Sequence, residues 1–135
     1  MLSNQDKAYF FDFLGYFESV KKDVKNKTKN FHFKDSNVQN FLTQNRIYVG
    51  TFSTHSNNKY KESGYRRFLK METVSGYEIM RHIRNAIAHG NIQYASNNVL
   101  KISDYAPLKL NLTMKACIRR DLLISLIDEI KKTYR

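Results

Sequence analysis

The sequence predicts a single, mainly α-helical domain over residues 1–135, with four to five helices and a small β-hairpin before the last helix. Three observations support this prediction. A length of 135 residues suits one compact domain. One proline and five glycines leave long helices permitted almost anywhere in the chain. Apolar side chains recur every three or four residues over several stretches, and the period changes to two only after Gly90.

The first half of the chain shows its clearest helical spacing near the start. A long helix is predicted from about Asn4 to Lys25, and a short one from about Asp35 to Asn45. Residues 52–63 are polar and rich in turn formers, which predicts a mobile loop. A further helical stretch is predicted from about Gly64, either continuous with the next helix or separate from it.

The most informative helix is predicted from about Ser75 to His89. Ser75 and Glu78 have the Ser-x-x-Glu spacing of a capping box, which is typical of a helix start. Gly90 is well placed to end the helix in a left-handed conformation.

After Gly90 the sequence predicts short strands and then a final helix. Apolar and polar residues alternate over Asn91–Ser96, Val99–Asp104 and Leu108–Leu112, which predicts at least one hairpin. The last helix is predicted from about Thr113 to Lys132, with Cys117 as a small buried residue on its inner side.

The charge of the chain predicts a polyanionic partner. Lys and Arg total 23 against 12 Asp and Glu, a formal net charge of +11. Positive side chains that neutralise phosphates release counterions, so nucleic acid is the first candidate and an anionic membrane surface the second. A solvated basic face is the plain alternative. Lys21, Lys22 and Lys25 are the best candidates for contacts to a nucleic-acid backbone.

Nothing in the sequence predicts export or membrane insertion. The first residues lack the basic segment and apolar run of a signal peptide. No stretch approaches ~18 uncharged apolar residues, the length needed to span a bilayer. Cys117 is the single cysteine, so an internal disulfide is excluded and a reducing compartment fits. We therefore expect a cytoplasmic protein with no membrane segment.

Arg84, Asn85 and His89 stand out on the helix that ends at Gly90. Asn85 and His89 are four residues apart and share one face, which Arg81 extends by a turn. Arg84 falls inside the apolar arc instead. Arg84 and His89 are five residues apart, about 140° around an ideal helix. They can converge on one small anion only if the helix end unwinds at His89 or if a second chain faces them.

These residue types suit phosphodiester chemistry. A neutral histidine can take the proton from a ribose hydroxyl, because its ordinary pKa is about 6.5. An arginine can hold two non-bridging phosphate oxygens and stabilise the charge of the transition state. An amide side chain can orient either group. The 2′-hydroxyl of RNA supplies the nucleophile, so no metal is required and RNA rather than DNA is the predicted substrate.

The stretch from Arg84 to His89 (RNAIAH) matches the R-[polar]-x-x-x-H motif, and the chain resembles the HEPN superfamily. The resemblance implies a HEPN-like helical bundle and a homodimer with a shared cleft. It also implies a metal-independent RNA endonuclease that leaves 2′,3′-cyclic phosphate ends and acts as a toxin or anti-phage defence effector. Arg84 and His89 are then the catalytic pair, and Asn85 supports them. An antitoxin or other regulatory protein is an implied partner.

One departure from the family pattern concerns regulation. Family toxins that a nucleotidyltransferase partner silences often carry tyrosine two residues after the histidine. This chain has Asn91 at that position, and the nearest following tyrosine is Tyr94.

Each candidate residue also has a structural alternative. His89 can interact with the helix dipole, and Arg84 can form a buried ion pair. Arg81 and His82 are interpreted as surface residues, with RNA contact as a second role. The four histidines are irregularly spaced and no acid or cysteine clusters with them, so neither a metal site nor a cofactor is predicted. The alternative function is a non-catalytic HEPN-like module that binds RNA, a nucleotide or a protein.

Overall fold

The computed structural model describes residues 2–52, 61–62, 65–96, 98–106 and 111–135, and only the backbone of 61–62 and 65–66. Within these residues there are four α-helices and seven strands. The helices are α1 (Asn4–Lys25), α2 (Ser36–Gln44), α3 (Gly76–Ala88) and α4 (Arg120–Lys131). The strands are β1 (Tyr48–Thr51), β2 (Lys61–Glu62), β3 (Tyr65–Arg66), β4 (Phe68–Met71), β5 (Ile92–Ser96), β6 (Val99–Tyr105) and β7 (Leu112–Arg119).

Five of the strands form one mixed sheet in the order β1-β4-β7-β6-β5, and β2 pairs with β3 separately. β1 and β4 run parallel, and every other neighbouring pair is antiparallel. β7 is the central strand, bonded to β4 on one side and β6 on the other. In the β6–β7 pairing Lys101 lies opposite Cys117, and Ser103 lies opposite Lys115.

One face of the sheet packs against the helices. Alternate residues of the sheet, such as Leu100, Ile102 and Met114, have no exposed surface. They belong to the same hydrophobic cluster as the buried faces of α1, α3 and α4. α3 lies against both α1 and β6, so its position is fixed from two sides. Burial of this apolar surface is the main stabilising contribution to the fold.

The prediction of a mainly helical bundle is wrong. The chain is a mixed α/β domain, because a five-stranded sheet underlies the helices. The helical stretch predicted from Gly64 is also wrong, since β3 and β4 occupy residues 65–66 and 68–71. Leu69 and Met71 in β4 favour helices by intrinsic propensity, but pairing with β1 and β7 overrides that weak preference.

The predicted start of the last helix is wrong for a similar reason. Residues Leu112–Arg119 form β7, and the helix begins only at Arg120. Met114, Ala116 and Ile118 alternate toward the core, so the true period here is two. Cys117 therefore faces the other side of the sheet and is only half-buried, not a core residue of a helix.

The remaining element predictions agree with the structure where it describes the chain. α1, α2 and α3 match the predicted helices, and β5 and β6 form the predicted hairpin. Most of the loop predicted over residues 52–63, and most of the strand predicted at 108–112, lies outside the described residues. Across the described part of the chain, no helix is both long and apolar enough to cross a bilayer.

Candidate active site at the end of α3

α3 begins and ends at well-defined caps. The Ser75 hydroxyl accepts a hydrogen bond from the Glu78 amide at 3.0 Å, which satisfies one unpaired N–H of the first turn. His89 is the C-cap, and Gly90 follows with a φ of 71°. This left-handed conformation suits glycine, because it lacks a Cβ atom. The chain therefore leaves the helix immediately after the candidate histidine.

Arg84 lies between α1 and the end of α3, where it makes polar contacts on both sides. Its Nε and Nη2 atoms donate to Glu18 Oε1 of α1 at 3.2 and 3.1 Å. Its Nη1 atom donates to Asn85 Oδ1 at 3.2 Å. The Arg84 side chain keeps 32% of its surface exposed, and Glu18 keeps 42%. This is the ion-pair alternative for Arg84, but at the edge of the core rather than inside it.

Asn85 connects Arg84 to a buried acid on the sheet. Asn85 Nδ2 donates to Asp104 Oδ2 at 3.2 Å, and His82 Nδ1 donates to the same oxygen at 2.8 Å. Asp104 is only 3% exposed. Burial raises the pKa of Asp104, but the hydrogen bonds from His82 and Asn85 outweigh it and hold this pKa below its ordinary value. Asp104 is therefore a firm, negatively charged anchor for α3.

His89 is exposed at the C-cap of α3. Its side chain makes no hydrogen bond or ion pair with any part of the chain that the structure describes. Its backbone N–H still donates to the Asn85 carbonyl at 3.0 Å, so the last turn of α3 stays closed. His89 and Asn85 are four residues apart and share one face of the helix end, so an exposed imidazole and an amide lie on the same side of α3.

A scan against protein-family models finds that residues 12–135 match the family described as HEPN pEK499 p136. The chain belongs to this HEPN family. The HEPN membership that the motif at residues 84–89 indicated is therefore confirmed. The search of the curated proteins and the search of the solved structures each found no match.

The HEPN motif residues do not converge within one chain. Because α3 does not unwind at His89, Arg84 and His89 stay about 140° apart around the helix axis. The apolar arc of α3 is also already buried against its own domain, since Ile79, Ile83 and Ala86 are fully buried. A second chain facing this helix end would meet its polar and exposed residues instead.

The other predicted RNA-binding residues fall into two groups. Lys22 and Lys25 are exposed near the end of α1. Lys21 and Arg81 are engaged by acids: Lys21 Nζ lies 2.6 Å from Glu18 Oε2, and Arg81 Nη2 lies 2.6 Å from Glu78 Oε2. Lys21 thus shares Glu18 with Arg84, which brings it next to the HEPN motif. This leaves Lys22 and Lys25 as the more available cations for a nucleic-acid backbone.

The prediction that His82 lies on the surface is wrong, because only 1% of it is exposed. On an ideal helix His82 is about 40° from Ala86, so it borders the buried arc of α3. Its Nδ1 atom is occupied by Asp104, and its Nε2 atom lies 3.4 Å from Arg81 Nη2. His82 therefore supports the position of α3 rather than meeting a ligand directly.

Glu18 and Asp104 are parts of the site that the sequence reasoning missed. A signal for Asp104 was present, since it continues the inward alternation of Leu100 and Ile102 along β6. An acid at an inward position needs a polar partner on the element packed above it. Glu18 gave no such signal, because an exposed acid on α1 shows no preference for one neighbouring helix over another.

Tyr94, the tyrosine nearest after His89, takes part in a second buried cluster. Its hydroxyl and the Arg120 guanidinium both donate to Asp6, which is 1% exposed. Burial raises the pKa of Asp6, but these hydrogen bonds lower it below its ordinary value. The hydrogen bond to Asp6 raises the pKa of Tyr94. Tyr94 thus ties β5 to α1 and α4 in this HEPN domain.

No group of three or more His, Cys, Asp or Glu side chains within the described ranges is arranged to hold a metal ion.

Proposed function

We propose that this HEPN protein is a metal-independent RNA endonuclease whose active site is assembled from two copies of the chain. The observation that carries the proposal is the joint exposure of Arg84 and His89 at the end of α3 in a chain that belongs to a HEPN family. Arg84 is the phosphate-holding residue, His89 is the general base, and Asn85 orients them.

The reaction uses the nucleophile that RNA carries. His89 takes the proton of the 2′-hydroxyl, and the 2′-oxygen attacks the adjacent phosphorus. The bond from phosphorus to the 5′-oxygen breaks, that oxygen takes up a proton from a water molecule, and the resulting hydroxide takes back the proton that His89 accepted. Arg84 stabilises the negative charge that builds on the non-bridging oxygens. The products are a 2′,3′-cyclic phosphate and a 5′-hydroxyl.

The geometry of α3 supports a homodimer. One helix end presents Arg84 and His89 in different directions, so a single phosphate can meet both residue types only between two copies. A two-fold axis near this helix end would bring Arg84 of one copy toward His89 of the other. The interface would then contain polar side chains that RNA or the partner must satisfy.

A protein with this activity needs control in its host. We propose that it acts in the cytoplasm as a toxin or anti-phage defence effector, held in check by an antitoxin or another regulatory protein. The excess of positive charge supports RNA as the substrate, because it favours association with phosphates.

One observation favours a second function, a non-catalytic HEPN-like module that binds RNA, a nucleotide or a protein. The Arg84 guanidinium is already paired with Glu18. If this pair is permanent, Arg84 cannot hold a phosphate and serves only to join α1 to α3. The Glu18→Gln variant distinguishes the two functions. It weakens the ion pair with Arg84, so an enzyme should cleave RNA at an equal or higher rate, whereas a non-catalytic module should show no cleavage.

Cleavage of RNA in EDTA by purified protein tests the proposal. We expect the wild-type protein to cut RNA and to leave 2′,3′-cyclic phosphate ends. The Arg84→Ala and His89→Ala variants should each lose at least ~100-fold in cleavage rate, in line with typical acid–base contributions. Matched controls are Arg119→Ala, which breaks an exposed ion pair with Asp121, and Lys132→Ala, which replaces another helix C-cap.

Three results would contradict the proposal. Activity that EDTA abolishes would exclude the metal-free mechanism. Full activity in both site variants would exclude this site. A chain that stays monomeric by light scattering while cutting RNA would exclude the shared site. Mixing Arg84→Ala with His89→Ala protein gives a direct check, since a shared site should regain partial activity in the mixed dimer.

A further inference from the structure

A small cleft opens on the face of the sheet that points away from the helices. Its volume is about 210 Å³. We name it the sheet cleft and define it by the side chains of β5, β6 and β7 and the residue before β5: Asn91, Gln93, Lys101, Ser103, Tyr105 and Lys115. Gly90 also lines the cleft, and its Cα atom is about 3.8 Å from that of His89, the preceding residue. The cleft therefore begins one residue after His89.

The strand register places two lysines close together in this cleft. Lys101 is opposite Cys117, and Lys115 precedes Cys117 by two residues on the same face. Lys101 and Lys115 are therefore diagonal neighbours on one face of the sheet, and the backbones of such residues lie about 7–8 Å apart. Burial raises the pKa of the Cys117 thiol, and the positive charges of Lys101 and Lys115 partly offset that rise. Both lysines therefore lie on the same side of the sheet as Cys117. Lys101 and Lys115 are both exposed. None of the described residues that line the cleft is a carboxylate.

The remaining lining suits a nucleotide. Tyr105 is 44% exposed, which leaves its ring accessible for stacking on a base. Asn91, Gln93 and Ser103 supply donors and acceptors beside it. The volume is below the roughly 300–1,000 Å³ of pockets that enclose a small molecule. A cleft of this size fits one unit of a strand that passes over it.

We propose that the sheet cleft binds single-stranded RNA next to the phosphate that is cut, with Lys101 and Lys115 on the RNA backbone and Tyr105 stacked on a base. The position relative to the cut rests on the proposed function, since it takes His89 as the catalytic base. Single-stranded RNA fits better than a duplex, because only unpaired bases can stack on an isolated tyrosine. The sheet cleft thus gives β5–β7 a role in guiding the substrate.

Binding of a fluorescent 2′-O-methyl oligonucleotide to the full chain, followed by anisotropy, tests this inference. The probe lacks the attacking hydroxyl, so binding is measured without cleavage. We expect the double variant Lys101→Gln/Lys115→Gln to weaken binding about 10-fold. It should also reduce the slope of log affinity against log salt by about 1.4, because each phosphate contact on a single strand contributes about 0.7 to that slope. Tyr105→Ala should weaken binding about 10-fold, within the usual range for one stacked base.

The matched control is Lys7→Gln/Lys132→Gln, which removes the same charge from exposed lysines of α1 and the end of α4. We expect less than a two-fold change in affinity for this variant. Equal weakening in both double variants would overturn the inference, because it would show general attraction alone. Unchanged affinity in the cleft variants would overturn it as well. Competition by polyglutamate as strong as that by RNA at equal charge would point to an acidic protein partner instead.

The outcome is separable from that of the proposed function. A chain that binds the probe through the sheet cleft but never cuts RNA contradicts the catalytic proposal alone. A chain that cuts RNA in EDTA, yet binds the probe equally well with and without the cleft lysines, contradicts this inference alone. Thermal unfolding of each variant checks that these surface substitutions leave the fold intact.

Discussion

Replacement of Asp104 by alanine should destabilise the domain by about 3 kcal/mol. The variant removes the acceptor of two hydrogen bonds, from His82 at 2.8 Å and from Asn85 at 3.2 Å. A buried donor without a partner costs about 1–3 kcal/mol. We assign about 2 kcal/mol to fully buried His82 and about 1 kcal/mol to half-buried Asn85. For 135 residues this corresponds to a fall in Tm of about 10 °C, at about 2.1 cal/mol/K per residue.

Thermal and urea unfolding followed by circular dichroism measure this loss. Asp12→Ala is the control, because Asp12 is an exposed acid on α1 and should change stability by less than about 0.5 kcal/mol. A double-mutant cycle of Asp104→Ala with His82→Ala should give a coupling of about 1.5 kcal/mol. A loss below about 1 kcal/mol for Asp104→Ala, or additive effects in the cycle, would refute the view that Asp104 anchors α3.

Two further predictions concern Gly90 and acid stability. Gly90→Ala should cost about 1 kcal/mol, because its φ of 71° strains a residue with a Cβ atom, whereas Gly15→Ala within α1 should gain about 0.8 kcal/mol. Urea unfolding measures both, and a gain at Gly90 would contradict the argument. The folded-state pKa values of Asp6 and Asp104 lie below 3.8, so their contribution to stability is complete above about pH 4 and is lost as the pH falls through these lowered values. Urea unfolding from about pH 2 to 7 should show this fall, and an Asp104→Asn profile as steep as the wild-type profile would disagree with it.

The sequence predicted those elements whose periodicity decides the structure by itself. α1 and α3 each carry a long amphipathic stretch and a side-chain cap, so local spacing is sufficient. β7 illustrates the opposite case. Its residues Ala116 and Met114 favour helices, and the strand forms because β4 and β6 satisfy its backbone from both sides. The pairing of β7 with β4 and β6 joins residues that are distant in the sequence, so local periodicity cannot predict it. For this reason the sequence indicated a helical bundle rather than a mixed α/β domain.

The candidate site was predictable in its residues and not in its connections. The motif placed Arg84 and His89 at a helix end, and the helix wheel correctly indicated that they diverge. The partners of Arg84 and Asn85 depend on how α1 and β6 pack against α3. Glu18 and Asp104 are 66 residues before Arg84 and 19 residues after Asn85, so no local pattern joins them.

The two partners of Arg84 differ in a way that bears on its proposed role. Asn85 Nδ2 donates a hydrogen bond to buried Asp104, and this contact directs Asn85 Oδ1 at the Arg84 guanidinium. Glu18 lies on the exposed side, and exposed ion pairs contribute little to stability. If Arg84 holds a phosphate as proposed, that phosphate would replace Glu18 while Asn85 and Asp104 keep Arg84 in place. In the proposed reaction Arg84 would then be oriented before the RNA binds, and such preorganisation favours stabilisation of the transition state.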